Sequence, residues 1–143
     1  MLHFSCNIFV NRIFELTCHM QTQNIKPTEK VIISRSPKSQ SHIIVEIVEY
    51  IPDSIVSKTI IKKTNGGVTA TSFAEGEKLC EKITEYDTYV QIIDGKADVT
   101  IDNKDYKLNL GEGIIIPAHT VHCFKAEEQF KMITTFIQSV TQN

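Results

Sequence analysis

The chain reads as an all-β fold, a small sandwich or barrel behind a polar extension, and three observations predict it. Short β-branched or alternating segments recur from residue 43 onward. Glycine, asparagine and aspartate breaks separate them at close intervals. No long uninterrupted helical periodicity competes with them. At 143 residues and 41% hydrophobic content, the chain supports one core with a tail.

Taken in order, residues 1–19 hold Leu2, Cys6, Phe9, Ile13 and Leu16 at roughly helical spacing, interrupted by Asn11, Arg12 and Glu15. That pattern is too broken for a membrane span, which needs about 20 apolar residues. It also lacks the basic start and cleavage site of a secretory signal. Two readings stay open: a short amphipathic helix that needs a partner surface, or a misassigned start upstream of Met20. Residues 21–41 are polar and hold Pro27 and Pro37, which reads as a linker or arm.

Two segments, IIVEIVEY (residues 43–50) and SIVSKTIIKK (54–63), are predicted strands and could form a hairpin beside the barrel. Asn65-Gly66-Gly67 is a strong turn signal. Beyond it come GVTATSFA, KLCEKIT, a polar corner at residues 85–87, and TYVQIID. Ala97, Val99 and Ile101 alternate with polar residues, and Tyr106, Leu108 and Leu110 repeat the half-buried pattern. Gly111-Glu112-Gly113 leads into three isoleucines and Pro117, and TVHCFK and FKMITTFIQ supply the last strands. The expected organisation is an extension over residues 1–41, N-terminal strands over 42–64 that pack on the barrel, and the barrel over 65–138.

Fifteen Lys and Arg against seventeen Asp and Glu give a net charge of −2, so no broad field favours a polyanion. No nucleic acid or membrane partner is expected, and the expected location is cytoplasmic. Cys6, Cys18, Cys80 and Cys123 lack CxxC spacing and read as small buried thiols. There is no GxSxG elbow, phosphate-binding glycine loop or HExxH helix. Cys123 beside His122 suggests a nucleophile and a base, but neighbouring strand residues project to opposite faces.

Gly76 and Gly95 bracket one motif, and Gly111, Pro117 and His122 form a second. With TYVQIIDGKADVTI and IIIPAHTVHCFKAEEQFKM around them, they resemble the small single-domain cupins of the RmlC-like superfamily over about half the chain. The resemblance implies a cupin-type double-stranded β-helix, a jelly-roll barrel with a short N-terminal extension. It also implies where a metal would sit, on three histidines and a glutamate. Carried over by position, those ligands fall on Lys82, Thr84, Thr88 and His122, so only His122 matches. His119, where the family usually has a small residue, is a poor replacement ligand. No metal and no other cofactor is therefore expected. In the motif register Cys80 and Cys123 face opposite ways, which argues against a disulfide.

Lys82, Thr84, Thr88 and His122 are instead candidate ligand-binding residues. An inward Lys82 would favour a carboxylate or phosphate. However, Leu79 and Ile83 compete for the buried face of KLCEKIT, and Lys82 would then be solvated. The leading functional expectation is a cupin of unassigned activity that binds a small molecule, anionic if Lys82 faces inward, without a conventional metal centre. The alternatives are an isomerase-, dioxygenase- or decarboxylase-type cupin enzyme acting with little or no metal, and a dimeric interaction module. A homodimer is expected because the strands before the barrel need a covered face.

Overall fold

The computed structural model describes residues 29–32, 36–81 and 83–139 of the chain. Residues 1–19 and Lys82 lie outside the described residues, and with them the readings made of them above.

β2 (Ile55–Lys63) turns through residues 64–65 into β3 (Gly66–Phe73), the hairpin that the Asn-Gly-Gly signal marks. The following strands are β4 (Lys78–Glu81), β5 (Thr88–Asp94), β6 (Ala97–Ile101), β7 (Lys104–Leu108), β8 (Gly113–Ile116), β9 (His122–Lys125) and β10 (Phe130–Ile137). They lie in two sheets. One has the order β1-β2-β3-β10-β5-β8, with β1 at Glu29–Ile32, and the other has the order β4-β9-β6-β7. Apart from the parallel β1–β2 pair, the ladders are antiparallel. The non-sequential neighbours make the jelly-roll topology that the resemblance implies.

The core lies between the sheets. Ile55, Phe73, Val90, Ile92, Ile116 and Phe130 are fully buried in it, with Val99 and Phe124 from the smaller sheet. Phe73 stacks on Phe130 at 4.4 Å between ring centroids and reaches Phe124 at 6.1 Å. These rings join the two sheets, and truncating such a ring costs about 3–5 kcal/mol. Gly95 turns β5 into β6 with φ of +71°, and a Cβ there would collide with the carbonyl of Gln129. Both constraints require glycine at that corner.

Residues 43–50 are not a strand. They contain a 3-10 turn at Ile44–Glu46 and cross the outer face of the larger sheet. The predicted hairpin with β2 cannot form because both edges of β2 are occupied, one by β3 and the other by β1. Ile47 and Val48 bury themselves instead against Val56 and Ala70, with Ile51, Ile60 and Ile133 around them. Strand β1 itself lies within the segment read as a linker or arm. Its signal is four residues long, below what periodicity resolves. On β7 and beyond, Leu108 is buried as expected, but Tyr106 and Leu110 are 40% and 65% exposed, because β7 is a sheet edge and ends at Leu108.

The covering segment is held by a polar anchor. Lys131, 9% exposed, donates from Nζ to the Val45 carbonyl at 2.6 Å and sits 4.6 Å over the Tyr50 ring. The Tyr50 hydroxyl donates to Asp94 Oδ2 at 2.7 Å. Burial, the hydrogen bond and the nearby carboxylate together push the Tyr50 phenol above its usual range. The folded state therefore holds this proton more tightly than the unfolded chain. The resulting stability is complete below about pH 10 and is lost as the pH rises through the folded value. In an absorbance titration at alkaline pH, Tyr50→Phe should remove an ionisation that lies above the usual tyrosine range and flatten the alkaline loss of stability.

Cys80 and Cys123 form a disulfide across the β4–β9 pair, against the expectation of separate buried thiols. They are direct ladder partners, and directly opposed residues project to the same face. The motif register failed here because β4 ends at Glu81: its own parity turns Leu79 inward and Cys80 outward, and this parity does not extend to Thr84. Cys80 is exposed and Cys123 half-buried. The bridge closes a sequence separation of 43 residues, so reducing it, or Cys80→Ser, should lower unfolding stability by roughly 2–4 kcal/mol. Equal denaturation midpoints with and without reductant would contradict this.

Candidate functional site

Strands β2, β3 and β10 lie side by side, and their inward residues form transverse rows. At the closed end stand Ile55, Phe73 and Phe130, all fully buried. Two residues along, the row is Ser57, Thr71 and Met132, still buried. Two further, it is Thr59, Thr69 and Thr134, half-buried. Polarity therefore rises from floor to mouth in steps of one strand period.

The two outer rows leave a cavity of ≈ 660 Å³, within the size range of small-molecule sites. Leu79, Phe124 and His122 of the smaller sheet form its opposite wall, and Ile116 and Met132 continue the apolar base. At the mouth, Tyr86 and Phe136 stack at 5.6 Å between centroids, with Ile83, Glu85 and Thr88 around them. Among the described residues that line it, none is a lysine or arginine, and Glu85 supplies the carboxylate. The Ser57 and Thr71 hydroxyls are 3.0 Å apart and hydrogen-bonded, so the deepest polar pair is mutually satisfied.

Thr84, Thr88 and His122 all line this cavity. Thr84 and Thr88 each donate Oγ1 to the Tyr86 carbonyl, at 3.1 and 3.4 Å. Those bonds brace the polar corner, and each hydroxyl keeps oxygen lone pairs as acceptors. The corner is tied to the opposite loop, where the His119 N–H donates to the Thr84 carbonyl at 2.7 Å and the Ala118 N–H donates to Asp87 Oδ1 at 2.8 Å. His122 is 3% exposed, with Nδ1 3.3 Å from the Thr120 carbonyl and its ring edge-on to Phe124 at 5.6 Å. A carbonyl only accepts, so Nδ1 donates in this contact.

His119 does not line the cavity. It sits in a separate surface groove with Asp87 and Gln138. Its φ of +59° is the left-handed conformation that favours glycine. Thr59, Thr69, Thr71, Thr134 and Ser57 were not among the sequence candidates. Their available signal is parity: each lies an even number of residues from a buried Ile55, Phe73 or Phe130 on its own strand.

The donors among the described residues do not fit a transition-metal site. His122 is the one imidazole among the described residues lining the cavity, and the hydroxyls of Thr84 and Thr88 are weak neutral ligands. Among the described residues there is no group of three or more His, Cys, Asp or Glu side chains placed to hold an ion.

An open-ended jelly-roll barrel with its site between the sheets defines the class. The sequence comparisons place it further: residues 71–137 match the cupin domain model, and the chain carries a small cupin-type domain. Among solved structures, it is similar to a conserved protein of unknown function from Streptococcus pyogenes, with a TM-score of 0.70 at 24% identity over 76% of this chain and 96% of that one. It is also similar to a cupin superfamily protein from Desulfitobacterium hafniense DCB-2, with a TM-score of 0.67 at 23% identity over 72% and 94%. A cupin 2 conserved barrel domain protein from Leptotrichia buccalis aligns at 34% identity and a TM-score of 0.63, over 66% of this chain and 46% of that one. No curated protein matches the sequence.

Elemental analysis of the purified protein should find clearly less than one equivalent of zinc, iron, manganese or nickel. Stoichiometric metal that disappears in His122→Ala would show that ligands beyond those described complete a site around this imidazole.

Proposed function

We propose that the barrel binds a small organic molecule between its sheets without a conventional metal centre. The observation that carries this reading is the ≈ 660 Å³ cavity, lined from both sheets and open at the end where polar groups gather. A barrel of this size usually fills its interior with side chains. Here short hydroxyl residues stand at positions where larger apolar ones would close the space. A second reading, metal-free turnover with His122 as acid or base, is favoured by the burial of that imidazole in the cavity wall, with Nδ1 held by the Thr120 carbonyl.

We also propose that the protein forms a homodimer. The outer face of β2, β3 and β10 is covered by residues 47–51 of the same chain. Exposed Tyr89 and Ile115, ladder partners on β5 and the edge strand β8, are the surface a second copy would cover. We also propose a cytoplasmic location, where the Cys80–Cys123 bridge would be exposed to reduction and the stability it adds would depend on the redox state. No helix among the described residues is long and apolar enough to cross a membrane.

Ligand-observed NMR with a library of small acids, sugars and apolar compounds tests the binding reading, with product formation followed in the same samples. Ligands should bind to the native protein and lose at least tenfold in affinity in Thr134→Phe, which fills the middle row, while its thermal transition stays cooperative. Binding unchanged by that substitution would place the site elsewhere. Product formation abolished by His122→Ala, with binding retained, would select the enzymatic reading.

A further inference from the structure

The smaller sheet carries a second chemical group on its outer face. Leu79 and Phe124 point inward, so by strand parity Cys80 and Cys123 point outward, as do Lys78 and Lys125 two residues away. The bridge is reachable from one end, because Cys80 is exposed and Cys123 half-buried. Beside it, one row across the four strands reads Lys78, Lys125, Asp98 and Lys107. Lys107 lies 3.6 Å from Asp98, and Glu127 lies within 4.0 Å of both Lys107 and Lys125. Three ammonium groups thus face two carboxylates, a field that favours an approaching anion and a departing thiolate.

The inward face of the same ladder is cavity wall. Leu79, His122 and Phe124 alternate along β4 and β9 with the two cysteines, and all three line the cavity. Strand β4 is four residues long and lies at the edge of its sheet, with β9 as its neighbour. Backbone bonds hold its flanks, from the Ala126 N–H to the Glu77 carbonyl at 2.9 Å and from the His119 N–H to the Thr84 carbonyl at 2.7 Å. The disulfide is a covalent clamp on a wall strand that is paired on one side. Short edge strands are where local opening starts.

From this juxtaposition we propose that Cys80 and Cys123 form a thiol–disulfide exchange site for a small anionic thiol of the glutathione type, and that opening it loosens the β4 wall of the cavity. A glutathione thiolate attacks Sγ of the exposed Cys80, the S–S bond breaks, and Cys123 leaves as a thiolate. A second glutathione thiolate attacks the glutathione sulfur of the mixed disulfide and releases Cys80 as a thiolate. The protein gains two electrons, and the two glutathiones become one oxidised glutathione, so the reverse reaction closes the bridge again. Neither part needs a ligand in the barrel, and failure of the small-molecule reading would leave both standing.

The test treats the oxidised full chain, without denaturant, with millimolar reduced glutathione or cysteamine, a cationic thiol. Samples are quenched by alkylation and mapped by peptide mass spectrometry. Glutathione should open the bridge while the chain stays folded, with the transient mixed disulfide on Cys80. Relative to each thiol's rate on the urea-unfolded chain, glutathione should outpace cysteamine, and Lys78→Gln with Lys125→Gln should cut that preference about threefold. Hydrogen exchange should show the amides of residues 78–81 losing about tenfold in protection on reduction, with β5 and β10 unchanged. Cys80→Ser with Cys123→Ser should show the same loss without any thiol. A bridge that opens only as the whole chain unfolds would be a structural staple and would overturn the proposal. Equal relative rates for the two thiols would overturn the anionic class, and unchanged protection in β4 would overturn the effect on the wall.

Discussion

The position of β3 between β2 and β10 is the constraint on which the rest of the barrel depends. A strand alternates its faces with a period of two, so a one-residue slip would exchange every inward side chain for an outward one. Two ends hold the register. At the closed end Phe73 stacks on Phe130 and lies opposite Ile55. At the open end Gln138 N–H donates to the Asn65 carbonyl at 2.7 Å, and Gly66 and Gly67 lie against Phe136, where a Cβ would meet its carbonyl or its ring. With both ends fixed, the serine and threonine rows between them have one arrangement.

The same register serves the outer face. Val56, Ala70 and Ile133 point away from the cavity and would be exposed in an isolated barrel, but residues 47–51 lie over them. These strands are thus covered on both sides, which explains β-branched content beyond simple alternation in β2. The cover is anchored through Lys131, whose ladder partner is Asp94, the residue that also accepts from Tyr50. A buried ammonium is costly unless its donors are used, and the Val45 carbonyl and the Tyr50 ring meet that need here. Inner site and outer cover therefore share strands without sharing side chains.

At the mouth, Thr84 and Thr88 do structural work. Thr84 and Thr88 brace a corner through one carbonyl, and that corner is bonded to the loop carrying His119. The rim is tied together by these hydrogen bonds. His122 keeps its inward place because its strand parity is set by Phe124, which packs into the core two residues later. The disulfide lies on the other face of the same ladder, so it holds the short edge strand β4 without entering the cavity.

Much of this was legible in the chain. The glycine and proline spacing around Gly76, Gly95, Gly111 and Pro117 marks the barrel, and alternation places Ala97, Val99 and Ile101 correctly because one face of β6 is core. His122 and the two threonines could be assigned to the cavity wall from motif position alone. Other features depended on contacts between distant segments. Residues 43–50 have strand composition, yet β1 occupies the edge they would need, and sequence does not reveal which of two segments wins an edge. The partnership of Cys80 with Cys123 depends on where β4 ends, which is decided by its pairing with β9. The threonine row was invisible because no one strand contains it. By itself the sequence determined which residues alternate and where the chain turns, since both are local; only the tertiary structure decided which strands lie side by side, and so which hydroxyls share a cavity.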